Sequence, residues 1–91
     1  MRVLDIAADG ATSRLIALAQ GAQAGGLLPK DSARTMVGMA KAVRAFAVAR
    51  ESTLVTAMLD DLDTLMATAE EPVLVTASLR ATAAVRTAFR R

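Results

Sequence analysis

Apolar residues recur three and four positions apart along nearly the whole chain, and the pattern breaks at three places. These are Gly25-Gly26 with Pro29, the polar step Arg50-Glu51-Ser52-Thr53, and Glu70-Glu71-Pro72. The spacing is helical and the breaks are turn-forming or polar, so the chain reads as four amphipathic helices. In the first, Leu4, Ala8, Ala11, Leu15, Leu18 and Ala22 keep an unbroken four-three rhythm that predicts a helix from about Val3 to Ala24. Asp9-Gly10 sits in its middle. The alternative there is a turn, with a short element over Val3–Ala7 followed by a helix capped by Thr12 or Ser13.

The second segment is expected to start after Pro29 with Asp31 or Ser32 as its N-cap. Met36, Met39, Ala40, Val43, Phe46 and Ala47 share one arc, and Lys30, Arg34, Lys41 and Arg44 lie opposite. Extended further, the same helix would carry Arg50 into the apolar arc, so a stop near Arg50 and a restart at Ser52 or Thr53 are predicted. One continuous helix to Ala69 is the alternative, since no Gly or Pro forbids it. The third segment has the most regular heptad, Val55, Met58, Leu62, Leu65 and Ala69, widened by Leu59 and Met66. Pro72 suits the first turn of a fourth helix. Its apolar side is read as Leu74, Ala77, Ala81, Ala84, Val85, Ala88 and Phe89, with Arg80, Arg86, Arg90 and Arg91 forming a basic face.

Short connections favour antiparallel neighbours. The expected fold is therefore all-α, a small antiparallel bundle of three to four amphipathic helices forming a single domain over residues 1–91. Composition adds an expectation of oligomerisation. Of the 91 residues 54% are apolar, but 21 of them are alanine and only 2% of the chain is aromatic. Alanine adds little hydrophobic gain at about 25 cal/mol per Å², and a chain this short buries only about 60–65% of its unfolded surface. A bundle completed by a second copy would relieve that shortfall. The interface is expected on the Val55, Met58, Leu62 and Leu65 stripe, with Gly38 and Met39 opposite it. Gly38 is singled out because a glycine within a helix suits close backbone approach and its methionine neighbours adapt to a partner.

Charge sharpens the arrangement. Residues 30–50 carry a net +4, residues 51–72 a net −6 and residues 73–91 a net +4, with the first 29 residues balanced. The acidic third helix is thus expected between two basic ones, with the arginines of the fourth pairing to Asp60, Asp61, Asp63, Glu70 and Glu71. Nine arginines against two lysines in an alanine-rich chain match a high-GC bacterial coding bias.

The candidate chemistry is sparse. The chain has neither cysteine nor histidine, which removes disulfides, thiolate nucleophiles and the commonest general base and metal ligand. Asp5 and Asp9 interrupt the apolar run a signal peptide would need after Arg2, and the longest uncharged run, Leu15 to Pro29, is too short for a membrane span. A cytoplasmic protein with no membrane span is expected. Asp60-Asp61-Leu62-Asp63 lacks the alternation and central glycine of a calcium loop and reads as a solvated helix face. No metal or cofactor is expected.

Ser32 near Lys30 is explained by helix capping rather than by a serine–lysine pair. An enzyme would have to use buried arginines, with Arg14, Lys41 and Arg50 the residues to suspect. Ile6, Gly10 and Ile16 have the spacing of a helix-turn-helix, with Thr12, Ser13 and Arg14 opening its recognition helix. The leading expectation is a non-enzymatic helical module that self-associates and binds another protein, as an assembly, adaptor or regulatory subunit. A nucleic-acid-binding regulator is the first alternative, and a small all-helical enzyme the second.

Overall fold

The computed structural model describes residues 6–89, which form four α-helices: α1 (Ile6–Ala24), α2 (Lys30–Val48), α3 (Ser52–Met66) and α4 (Pro72–Phe89). Each helix packs on its neighbours in sequence, α4 returns to α1, and the backbones of the diagonal pairs stay apart. The result is an up-down-up-down four-helix bundle. Val3, Leu4, Arg90 and Arg91 lie outside the described residues. None of the described helices is long and apolar enough to cross a membrane.

α1 runs without interruption through Asp9-Gly10. The turn that the Ile6, Gly10 and Ile16 spacing requires is therefore missing, and Thr12, Ser13 and Arg14 lie within a helix rather than opening a second one. Thr12 is buried, and its hydroxyl donates to the Ala8 carbonyl at 2.8 Å. A side chain that satisfies itself on the preceding turn in this way has no need to act as a cap.

The ends of α1 and α2 share one motif. At the first, Leu27 N–H donates to Ala22 O (3.0 Å) and Gly26 N–H to Gln23 O (3.3 Å), with Gly26 at φ 67°. At the second, Glu51 N–H donates to Phe46 O (2.9 Å) and Arg50 N–H to Ala47 O (3.1 Å), with Arg50 at φ 61°. Both are Schellman ends, in which a left-handed residue turns the chain out of the helix. Glycine takes that conformation freely, whereas arginine is strained in it. The stop near Arg50 and the restart at Ser52 agree with the sequence reading, and α2 and α3 are two helices. The N-cap of α2 differs. Pro29 holds that position without a side-chain hydrogen bond, and its carbonyl accepts from Ala33 N–H at 2.9 Å, so Asp31 and Ser32 are already inside the helix.

The core is graded by size. α3 contributes Val55, Leu59, Leu62 and Met66, all essentially inaccessible, while α1 and α2 present Ala11, Ala19, Ala22, Ala33, Ala40 and Ala47 around Leu15, Met36 and Val43. The stripe expected to join two chains is thus placed differently: Val55 and Leu62 are packed inside the chain's own core, and Met58 and Leu65 lie half-buried against it. Gly38 faces outward, with nothing within 4 Å of the position a Cβ would take, so it permits no close approach within the chain. Met39 is half-buried against the core.

The face of α4 is also rotated from the sequence reading. Leu74, Ser78, Thr82, Val85 and Ala88 are buried, Ala77 and Ala81 are half-buried, and Ala84 is exposed.

Two outcomes follow for stability. Leu62→Ala leaves a cavity within one chain and lowers stability by about 2–5 kcal/mol, read as a lower thermal midpoint in circular dichroism. Arg50→Gly relieves the left-handed strain and raises stability by about 0.5–1 kcal/mol, read as a higher thermal midpoint in circular dichroism.

Candidate functional site

The charged side chains sort into those used between helices and those left over. On α2, Arg44 reaches across to α1: Nη2 bonds Asp9 Oδ1 at 2.6 Å, and Nη1 donates to Ser13 Oγ at 2.9 Å and Thr12 Oγ1 at 3.1 Å. On α4, Arg86 reaches α3 with Nη2 on Asp60 Oδ1 at 2.7 Å and Nη1 on Asp63 Oδ2 at 2.9 Å, while Thr82 Oγ1 donates to Asp63 Oδ1 at 2.9 Å. Partial burial works against the Arg86 charge, but the hydrogen bonds and charges of Asp63 and Asp60 outweigh it and raise its pKa above the usual arginine value. The guanidinium therefore stays charged at any working pH.

The acidic α3 does lie between α2 and α4. Its carboxylates, however, are engaged from one side only. Arg86 takes two of them, Arg44 turns to α1 instead, and Arg80 makes no ion pair among the described residues.

The residues suspected of catalysis lie at the surface. Arg14, Lys41 and Arg50 are all exposed, on α1, on α2 and in the turn after it, and no described arginine is buried. Lys30 and Ser32 are two positions apart on a helix, which points them about 200° from each other. Asp60 and Asp63 turn to Arg86, and among the described residues no three carboxylates are close enough to hold a metal ion.

Of the surface hollows, one of about 450 Å³ lies between the turns at Gly26–Pro29 and Thr68–Glu71, and one of about 360 Å³ lies between α3 and α4 beside the engaged Arg86, while a groove of about 380 Å³ runs along the α1–α4 seam, with Ala11 and Leu18 on one bank, Ala77, Ala81 and Ala84 on the other, and Arg14 and Arg80 beside them. It shares Ala77 and Arg80 with a second hollow of about 320 Å³ that runs over Thr76 and Val73 to Pro72. Val73 is 79% exposed and Leu79, on the same helix, 46%.

The seam is also poor in charge. α1 and α4 hold Asp9, Arg14, Arg80 and Arg86, whereas α2 and α3 hold Lys30, Asp31, Arg34, Lys41, Arg44, Asp60, Asp61 and Asp63. Since Asp9 and Arg86 are used internally, Arg14 and Arg80 are the only unpaired charges on α1 and α4 within the described residues. An exposed two-helix face with two cations and no free anion is far from the mixed charge of an ordinary solvated surface.

Sequence periodicity missed this groove because it placed Ala77, Ala81 and Ala84 in the core. Ser78 and Thr82 take those places. Thr82 is accommodated because its hydroxyl donates to Leu79 O at 3.1 Å and to Asp63 Oδ1, whereas the buried Ser78 hydroxyl has no partner among the described residues, a placement that hydropathic spacing could not foresee. Of the proposed basic face, Arg86 is a structural clip, Arg80 belongs to the groove, and Arg90 and Arg91 lie outside the described residues.

Separate roles for the two arginines give separable outcomes. Arg86→Gln lowers thermal stability by about 1–2 kcal/mol in low salt, because Asp63 loses its charged partner, and the deficit shrinks in high salt. Arg80→Gln leaves the melting midpoint unchanged at both ionic strengths.

No family model matches the chain, and no match was found among curated proteins or solved structures.

Proposed function

We propose that the chain is a non-enzymatic, protein-binding helical module, an assembly, adaptor or regulatory subunit, whose working surface is the α1–α4 face. The observation that carries this reading is the charge-poor, alanine-lined groove with its two unpaired arginines. Small side chains let another helix come close, and the exposed Val73 on the adjoining hollow adds apolar area that gains from being covered. The reading covers association with a second copy as well as with a different protein. Catalysis is not part of it: the suspected arginines are exposed rather than buried, and the chain has no histidine or cysteine to serve as base or nucleophile.

The test uses Ala84→Glu, which places a carboxylate at an exposed groove position and leaves the core untouched. Immobilised wild-type and variant chains of equal helicity are exposed to soluble extract from the source cells. The wild type is expected to retain specific protein, itself included, and the variant to lose it. Equal retention by both, or retention of nucleic acid that falls steeply with salt, overturns the reading.

A further inference from the structure

We propose that the α1–α4 groove receives one acidic amphipathic helix of a different protein, laid along the seam as a fifth helix with its carboxylates on Arg14 and Arg80. This rests on the protein-binding reading and names the partner's chemistry.

The shape argument starts from the groove's banks. Ala11 on α1 and Ala77, Ala81 and Ala84 on α4 project little, so the furrow between the two antiparallel helices follows their axes and accepts a ridge of larger side chains. Leu18 and the adjoining Val73 hollow extend the apolar contact along the same direction. A helix suits such a furrow because its own backbone is already hydrogen-bonded, whereas an extended segment would find no free backbone partners on two helices.

The charge argument selects the occupant. Arg14 lies on one bank and Arg80 on the other, neither has an acidic partner among the described residues, and neither is needed by the fold. An incoming helix with carboxylates on both sides of an apolar seam, the positions that flank the core in a coiled coil, offers one to each bank.

A second copy does not supply this. Meeting through the same face, two copies bring four arginines and no carboxylate into one seam, and like charges there are repulsive. Offering α3 instead, a copy has only Asp61 free on that helix, because Asp60 and Asp63 are held by Arg86. That head-to-tail contact would also repeat into an open chain unless its rotation closed.

The experiment titrates the full-length chain with a labelled peptide of about three heptads, with leucine and alanine on the seam and glutamate on both flanks, followed by fluorescence anisotropy. A twin peptide carries lysine in place of every glutamate. The wild type is expected to bind the glutamate peptide at least about tenfold more tightly, with the difference collapsing in high salt. The double variant Arg14→Glu/Arg80→Glu, checked for helicity by circular dichroism, is expected to reverse the preference.

Equal binding of the two peptides, an unchanged preference in the double variant, or no binding of the glutamate peptide each overturns the proposal. So does self-association of the wild type, seen by light scattering, that the double variant alters, since the groove then takes a second copy. All of these leave the broader protein-binding reading to stand or fall on Ala84→Glu capture alone.

Discussion

Everything in this bundle depends on burying the large side chains of one short helix against the small side chains of its neighbours. α3 is the shortest of the four, yet it brings Val55, Leu59, Leu62 and Met66 into the centre. α1 and α2 line that centre mainly with alanine, which lets the helix axes approach and leaves room for leucine and methionine between them. The two aromatic residues, Phe46 and Phe89, are only half-buried against this core. Large opposite small is how a chain with 21 alanines fills its interior.

Polar contacts then divide the four seams. Arg44 clips α2 to α1, and Arg86 with Thr82 clips α4 to α3, so the molecule behaves as two fastened helical hairpins. Exposed ion pairs contribute little energy, but each selects which helices adjoin and in which direction. The hairpins then meet along the two remaining seams. At α2–α3 the short turn with Arg50 in its left-handed conformation fixes the geometry, while α1–α4 joins the two ends of the bundle and carries no ion pair among the described residues. Because the clips consume Asp9 and Arg86, they also strip the α1–α4 face of balancing charge and leave Arg14 and Arg80 exposed on it. Fold and candidate site are thus consequences of one allocation of arginines.

The existence of the helices, their number and most of their ends were legible in the chain because periodicity and turn chemistry act locally. Arg50 illustrates this: helical extension would have buried it, and the chain stops there. The start of α4 at Pro72 follows from the same local rules. Capping at α2 differs from the reading because Pro29 satisfies the same backbone requirement without a side chain, while α1 runs through Gly10 as its four-three spacing predicts, since one glycine costs only about 1 kcal/mol in a helix that is otherwise well packed.

By itself, then, the sequence determined that this protein is a set of four amphipathic helices with an acidic one set among basic ones, and that histidine and cysteine chemistry is closed to it. Only the tertiary structure decided that the Val55 and Leu62 stripe is spent inside one chain, which arginines are clips and which are free, and that Ala77, Ala81 and Ala84 line a groove. The physical reason is that hydropathic spacing says which residues seek burial but not against what. A helix as rich in alanine, serine and threonine as α4 has only a weak apolar direction of its own, so the packing of the other three helices sets how it is turned.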